Sequence, residues 1–234
     1  MAKFRNFIGA FLVAAVIAHF SMASPVRAEG IKAVASIAPV HSLLAAVMEG
    51  AGWPRLLVAG GSSPHAYALK PSAAWALAEA QVVFWVGPGL ERFLVKPLSA
   101  LPRRVMAVEL ATAEGVKTRR FRDAGGTDPH VWLDSRNAAA MTRIMVIVLA
   151  NANPANAALY RRNGAALLAQ LGELEEKISQ TLEPVTGVSY LTFHDAFGYF
   201  EDRFGLRSAG AVAVAATRPP GAKRISALRR LIRT

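Results

Sequence analysis

From residue 31 onward, short apolar runs alternate with segments of helical periodicity, a pattern typical of βα units stacked on a parallel sheet. The run Val-Val-Phe-Trp at 82–85 is rich in strand-forming residues and predicts a buried strand. Residues 113–128 are polar and contain glycine, which predicts a loop. In this part we predict strands at 31–37, 55–59, 81–86 and 105–108 and helices at 39–48, 73–80 and 90–98, with Ser72 as the N-cap of the second helix.

A long amphipathic helix is predicted over 155–182. Its apolar residues recur at steps of three and four, close to the helical period. Such a helix would be roughly 40 Å long, enough to connect two lobes, although an ordinary surface helix is the alternative interpretation. Gly164 and Gly172 are expected to weaken it. Around it we predict helices at 138–149, at 196–204 and from 226 onward, and strands at 188–193 and 209–215.

The composition narrows the possible chemistry. The 234 residues are 53% hydrophobic and 18% charged, which excludes a disordered tail and a disulfide-stapled miniprotein. The chain contains no cysteine, so thiolate zinc sites, thiol nucleophiles and a lipid-modified cysteine are excluded. Histidine and carboxylate are therefore the strong metal ligands that remain.

The net charge of +11 is concentrated at the two ends of the chain. Residues 1–28 contain three basic residues and residues 221–234 contain five, and neither segment contains an acid. The remainder carries only +3 and has no long basic stripe interleaved with aromatic residues. A nucleic-acid partner is therefore not expected.

Residues 1–28 have the pattern of an export signal. Lys3 and Arg5 give a positive start, 7–20 is apolar apart from one histidine, and small residues precede a cleavage point after Ala28. A membrane anchor is the alternative, but the apolar run is shorter than the ~20 residues that a spanning helix needs. We expect the segment to be removed and the product to be exported.

Three histidines occupy similar places along the chain. His65 follows the second predicted strand, His130 lies in a loop, and His194 ends a later strand. Strand ends at the carboxyl edge of an open α/β sheet face the ligand crevice, so the three imidazoles could converge there, although a lone loop histidine is more often solvated or capping. Three imidazoles suit a tetrahedral zinc ion with one position left over. His41, at a predicted helix start, is interpreted as structural.

The segments around these histidines resemble the three signature segments of the ZnuA-like proteins, the periplasmic substrate-binding components of zinc ABC transporters within the wider TroA-like group. The similarity runs from about residue 31 to the end. The matching segments are SPHAYALKPS at 63–72, DPHVWL at 128–133 and FHDAFGYF at 193–200, with WVGPGLE at 85–91 and RPPGAK at 218–223.

The resemblance implies two α/β lobes with mainly parallel sheets joined by a long backbone helix, with Zn²⁺ held between the lobes by His65, His130 and His194. Members of the family continue past the position of residue 234, so the second lobe is expected to be incomplete and the chain truncated. The implied division is a signal peptide at 1–28, an N-terminal metal-binding lobe at 29–150, a linking helix at 151–184 and a partial C-terminal lobe at 185–234.

This chain differs from many relatives near the expected site. Some relatives have a glutamate ligand where Pro64 stands here. Many carry a histidine-rich loop between the first two ligands, whereas 113–127 contains no histidine. The fourth zinc ligand is therefore expected to be water or a carboxylate from a part of the family fold that this sequence lacks.

The resemblance implies a monomeric, periplasmic binding protein that captures Zn²⁺ and delivers it to an inner-membrane permease, without enzymatic activity. Zinc affinity should then fall as the pH drops through the histidine range near 6.5. One alternative is binding of Mn²⁺, although manganese-binding relatives carry a carboxylate where His194 stands. A zinc-dependent hydrolase with Asp195 or Glu201 as its base is less favoured, because neither acid lies in a recognised base motif. An adhesin on the same scaffold is disfavoured by the absence of a lipid anchor.

Overall fold

The computed structural model describes residues 30–122, 125–213 and 220–231. The predicted export signal at 1–28 lies outside these ranges. Among the helices that are described, none is both long and apolar enough to cross a membrane.

The first sheet contains four parallel strands in the order β2-β1-β3-β4, as expected for stacked βα units. In β1, Val34 pairs with Arg55 on one side and with Val83 on the other. The strands are β1 (Ala33–Ala35), β2 (Arg55–Leu56), β3 (Val82–Trp85) and β4 (Met106–Glu109), connected by α1 (Ala38–Met48), α2 (Pro71–Glu79) and α3 (Arg92–Ser99).

Apolar residues cover both faces of this sheet. Ala33 and Ala35 of β1 belong to a buried cluster with residues of α1, whereas Val34 belongs to a second cluster with residues of α2 and α3. Successive residues of a strand point to opposite faces, so β1 and β3 must be apolar throughout. The continuous apolar run at 82–85 is explained by this double burial.

The start of α2 differs from the prediction. Its N-cap is Lys70, Pro71 occupies the first turn, and no side chain caps the helix. Ser72 therefore lies inside the helix, and its assignment as the N-cap is wrong. The fixed φ of proline suits the first helical position, where no amide hydrogen bond is needed.

Two long helices follow the first sheet, α4 (Ser135–Ala152) and α5 (Ala157–Leu182). The 26-residue α5 confirms the long helix, but only its first part is buried, at Ala157, Tyr160 and Gly164. A Cβ at Gly164 would overlap the side chain of Val146 in α4. Gly164 therefore permits close packing of the two helices rather than merely weakening α5, whereas a Cβ at Gly172 would meet nothing.

The second sheet contains two parallel strands, β5 (Tyr190–His194) and β6 (Ser208–Ala213). They are connected by α6 (Gly198–Phe204) and followed by α7 (Ala222–Leu231), which begins four residues before the predicted start at 226. Arg203 of α6 donates from Nε and Nη2 to the two carboxylate oxygens of Asp134, each over 2.7 Å. Because Asp134 also caps α4, this bidentate pair fixes α6 against the first half of the chain.

Candidate metal centre

Different local structures position the three histidines. His65 lies in a single 3₁₀ turn, Pro64–Ala66, in the connection between β2 and α2. His130 directly precedes another 3₁₀ turn, Val131–Leu133, and His194 is the last residue of β5. His130 is buried, and the other two are partly buried.

The structure brings these three side chains together. The Nε2 atoms of His65 and His130 lie 3.3 Å apart, and potential ligand nitrogens of all three residues lie within 4.8 Å of one another. Ring centroids are 5.3 Å apart for His65 and His130, 5.5 Å for His130 and His194, and 6.4 Å for His65 and His194. Tetrahedral zinc with bonds of about 2.0–2.1 Å separates its nitrogen ligands by roughly 3.4 Å. The pair His65–His130 already has this spacing.

Asp128 orients the imidazole of His130. The carboxylate atom Oδ1 lies 2.7 Å from Nδ1 of His130 and accepts the backbone N–H of the same residue over 3.0 Å. A proton held on Nδ1 leaves Nε2 with a free lone pair that faces His65. Asp128 is fully buried, and its Oδ2 accepts a hydrogen bond from Nη1 of Arg119 over 3.2 Å.

Tyr199 of α6 connects the second sheet region to the same segment. Its hydroxyl donates to the carbonyl of Asp128 over 2.7 Å and accepts the backbone N–H of Arg119 over 3.0 Å. The sequence motifs contained Asp128 and Tyr199 but did not reveal these roles. The Asp-x-His spacing at 128–130 was the available signal, since a carboxylate two residues before a histidine can bond its ring.

Two histidines of the cluster resist protonation. Burial is the main cause that lowers the pKa of His65 to about 4, and the neighbouring His130 and His194 lower it further. Burial and the proximity of His130 also lower the pKa of His194. Positive charge is therefore disfavoured on the rings of His65 and His194, which keeps their nitrogens available as metal ligands at neutral pH.

His41 lies apart from this cluster. Its Nε2 is 3.0 Å from the carbonyl oxygen of Pro54, and its ring makes an edge contact with Trp53 at a centroid distance of 5.4 Å. These contacts connect α1 to the segment before β2 and agree with a structural role for His41.

Glu91 of the segment 85–91 also has a structural role. Its fully buried carboxylate accepts the backbone N–H groups of Val86 and Gly87 and the hydroxyl of Ser36. Burial raises the pKa of this carboxyl group, and the three donors lower it in part. Glu91 thereby holds the turn after β3 against the end of β1.

Comparison with known proteins identifies relatives of this chain. The family model described as ZnuA, zinc-uptake complex component A, periplasmic, matches residues 33–234. The high-affinity zinc uptake system protein ZnuA of Brucella abortus (strain 2308) is 33% identical over 263 residues, covering 94% of this chain and 78% of the relative.

Solved structures share the fold. A crystal structure of ZnuA superimposes with a TM-score of 0.78 at 25% identity, covering 87% of this chain and 78% of the other. The periplasmic zinc binding protein TroA from Treponema pallidum gives a TM-score of 0.78 at 21% identity, covering 87% of this chain and 74% of the other. The architecture of two sheets and a long helix is therefore that of this structural group.

Proposed function

This chain belongs to the ZnuA family of periplasmic components of zinc-uptake complexes, and from this membership we propose that it captures Zn²⁺ with His65, His130 and His194 and delivers it to the permease of an ABC transporter. The observation that carries the proposal is the convergence of the three imidazoles, whose potential ligand atoms lie within 4.8 Å of one another. Zn²⁺ is the transported ligand in this scheme and not a resident cofactor.

The donor set supports zinc over manganese. Imidazole nitrogen suits zinc, whereas manganese favours carboxylate and water oxygen, and zinc also stands above manganese in the general affinity order of divalent metals. Binding of Mn²⁺ by a TroA-like protein is the second candidate. Burial lowers the pKa of His65 to about 4, so the ring nitrogen is available to either metal ion and the preference between them depends on the donor type.

A purely capturing role, without hydrolysis, is supported by the state of the nearby acids. Glu201 accepts hydrogen bonds from Arg122 and from the hydroxyl of Tyr190, and Oδ1 of Asp195 lies 3.7 Å from Nε of Arg122. Both oxygens of Glu201 are thus occupied by hydrogen-bond donors, which leaves this carboxylate little capacity to take a proton from a metal-bound water.

The organisation of the chain forms part of the proposal. We assign a signal peptide to 1–28 that directs export to the periplasm, a metal-binding lobe to 29–150, a linking helix to 151–184 and a second lobe to 185–234. The two separate sheets and the 26-residue α5 between them support this division. The protein would act as a monomer, without a nucleic-acid partner.

Metal titration tests the proposed function. Protein stripped with a chelator is titrated with Zn²⁺ and, separately, with Mn²⁺ in competition with a chromophoric chelator. We expect one tightly bound zinc ion per chain and manganese binding at least about 100-fold weaker. Equal affinity for the two metals would favour the manganese alternative, no tight binding of either would refute metal capture, and ester or peptide hydrolysis that tracks zinc occupancy would favour the hydrolase.

A further inference from the structure

The two segments 119–122 and 125–128 pair in antiparallel fashion beside the histidine cluster, and we call them together the arginine hairpin. Arg120 and Thr127 form an antiparallel bridge, and the backbone N–H of Asp128 donates to the carbonyl of Arg119 over 2.9 Å. The ring of Phe121 lies 6.3 Å from that of His130. One end of the hairpin therefore contacts the ring of His130 and includes its hydrogen-bond partner Asp128.

The other contacts of the hairpin reach α6. The Nε atom of Arg119 donates to Asp202 over 2.8 Å, while Nη1 of the same guanidinium donates to Asp128. A Cβ at Gly198, the first residue of α6, would overlap this guanidinium. Because residue 198 is glycine, the Arg119 side chain has space to extend from the hairpin to α6.

Arg122 is the second arginine that connects the hairpin to α6, and it contacts two buried acids. Its Nη2 donates to Glu201, and its Nε lies 3.7 Å from Oδ1 of Asp195. The side chains of Glu201 and Asp195 are only 3% and 8% exposed. The second oxygen of Asp195 has no hydrogen-bond partner among the described residues, so Arg122 is the cation that offsets this carboxylate.

These two acids hold both ends of the strand that presents His194. Asp195 directly follows His194, and Glu201 accepts the hydroxyl of Tyr190, the first residue of β5, over 2.8 Å. Removal of one partner from a buried charge pair leaves an uncompensated charge and is strongly unfavourable. Loss of the Arg122 guanidinium would therefore loosen the strand end that carries His194, and would leave Arg119 as the remaining arginine of the hairpin that bonds to α6.

We propose that Arg122 is a positioning residue that holds His194 against His65 and His130 and thereby slows the release of the bound metal ion. The proposal rests on the proposed capture of zinc by the three histidines. Arg122 touches no metal in this scheme, because it acts through Asp195 and Glu201.

The test compares Arg122→Gln with Arg120→Gln. Both variants remove one positive charge from the same hairpin, but Arg120 is exposed and its side chain forms no ion pair with any described residue. Each zinc-loaded protein is mixed with excess chelator in a stopped-flow instrument, and the dissociation rate, the zinc stoichiometry and the melting temperature of the metal-free protein are measured.

We expect Arg122→Gln to bind one zinc ion per chain and to release it about tenfold faster than the parent protein. An effect of this size is typical of residues that hold metal ligands in place without touching the metal. Arg120→Gln should stay within about twofold of the parent rate. Arg122→Lys retains the charge but not the planar fork, so its rate should lie between those of the parent and Arg122→Gln.

The outcomes separate this proposal from the proposed function. A parent-like release rate in Arg122→Gln, with or without a lower melting temperature, would overturn the positioning role and leave zinc capture intact. Equal acceleration in Arg120→Gln would overturn it as well, because the effect would then come from general charge. If Arg122→Gln fails to fold, a parent-like rate in Arg122→Lys and in Glu201→Gln would overturn it. Failure of the parent protein to bind zinc would instead refute the proposed function.

Discussion

Replacement of any one of His65, His130 and His194 by alanine is expected to lower the zinc affinity by roughly 100- to 1,000-fold. Structural zinc sites bind with about 10–16 kcal/mol, which corresponds to about 2.5–4 kcal/mol for each of four ligands. The three side chains form one cluster, so the three variants should lose similar amounts of affinity. Competition with a chelator of known affinity measures each loss.

His41→Ala is the matched control for this series. His41 contacts the Pro54 carbonyl and the ring of Trp53, away from the cluster, so its removal should leave the zinc affinity within about twofold of the parent value. A loss in His41→Ala as large as in the other three variants would show that the ligand assignment is wrong. Unchanged affinity in any one of the three cluster variants would remove that residue from the ligand set.

The second large effect concerns pH. A ligand histidine of pKa 6.5 weakens apparent zinc affinity about 25-fold between pH 7 and pH 5, and three such ligands weaken it about 15,000-fold. Burial and the neighbouring histidines lower the pKa of His65 to about 4 and also lower that of His194. Because His65 then contributes almost nothing and the contribution of His194 is reduced, we expect the loss over this interval to stay well below about 15,000-fold.

Chelator competition at several pH values, corrected for protonation of the chelator, measures this dependence. The sequence predicts that zinc affinity falls through the ordinary histidine range near pH 6.5. The lowered pKa values of His65 and His194 move the expected fall to lower pH. A loss approaching about 15,000-fold would show that the imidazoles titrate as they would in water. The same shift should make the metal-free fold less stable as the pH falls from 6.5 towards 4, because the unfolded chain binds protons that His65 in the folded chain does not.

The sequence was sufficient to predict the strands, the helices and the cluster of histidines. Apolar runs such as 82–85 and the spacing of residues along α5 reflect local periodicity, and strand ends that meet at one edge of a sheet bring distant histidines together. Element ends were less predictable. Pro71 rather than Ser72 begins α2, because the proline has a backbone geometry suited to that position.

The partners of the histidines could not be predicted because their contacts span large sequence separations. Arg122 and Glu201 are 79 residues apart, and Arg119 and Tyr199 are 80 residues apart. No local periodicity encodes which arginine meets which carboxylate across the two sheet regions. For the same reason Gly164 seemed only to weaken α5, until the position of Val146 in α4 showed why a side chain is excluded there.

Zinc K-edge X-ray absorption on the protein loaded with one equivalent of Zn²⁺ tests the three-histidine site most directly. We predict three imidazole nitrogens at about 2.0–2.1 Å and one additional light ligand. The spectrum of His194→Ala should contain one imidazole fewer. A parent spectrum with fewer than three imidazoles, or one that does not change in His194→Ala, would contradict zinc capture by His65, His130 and His194.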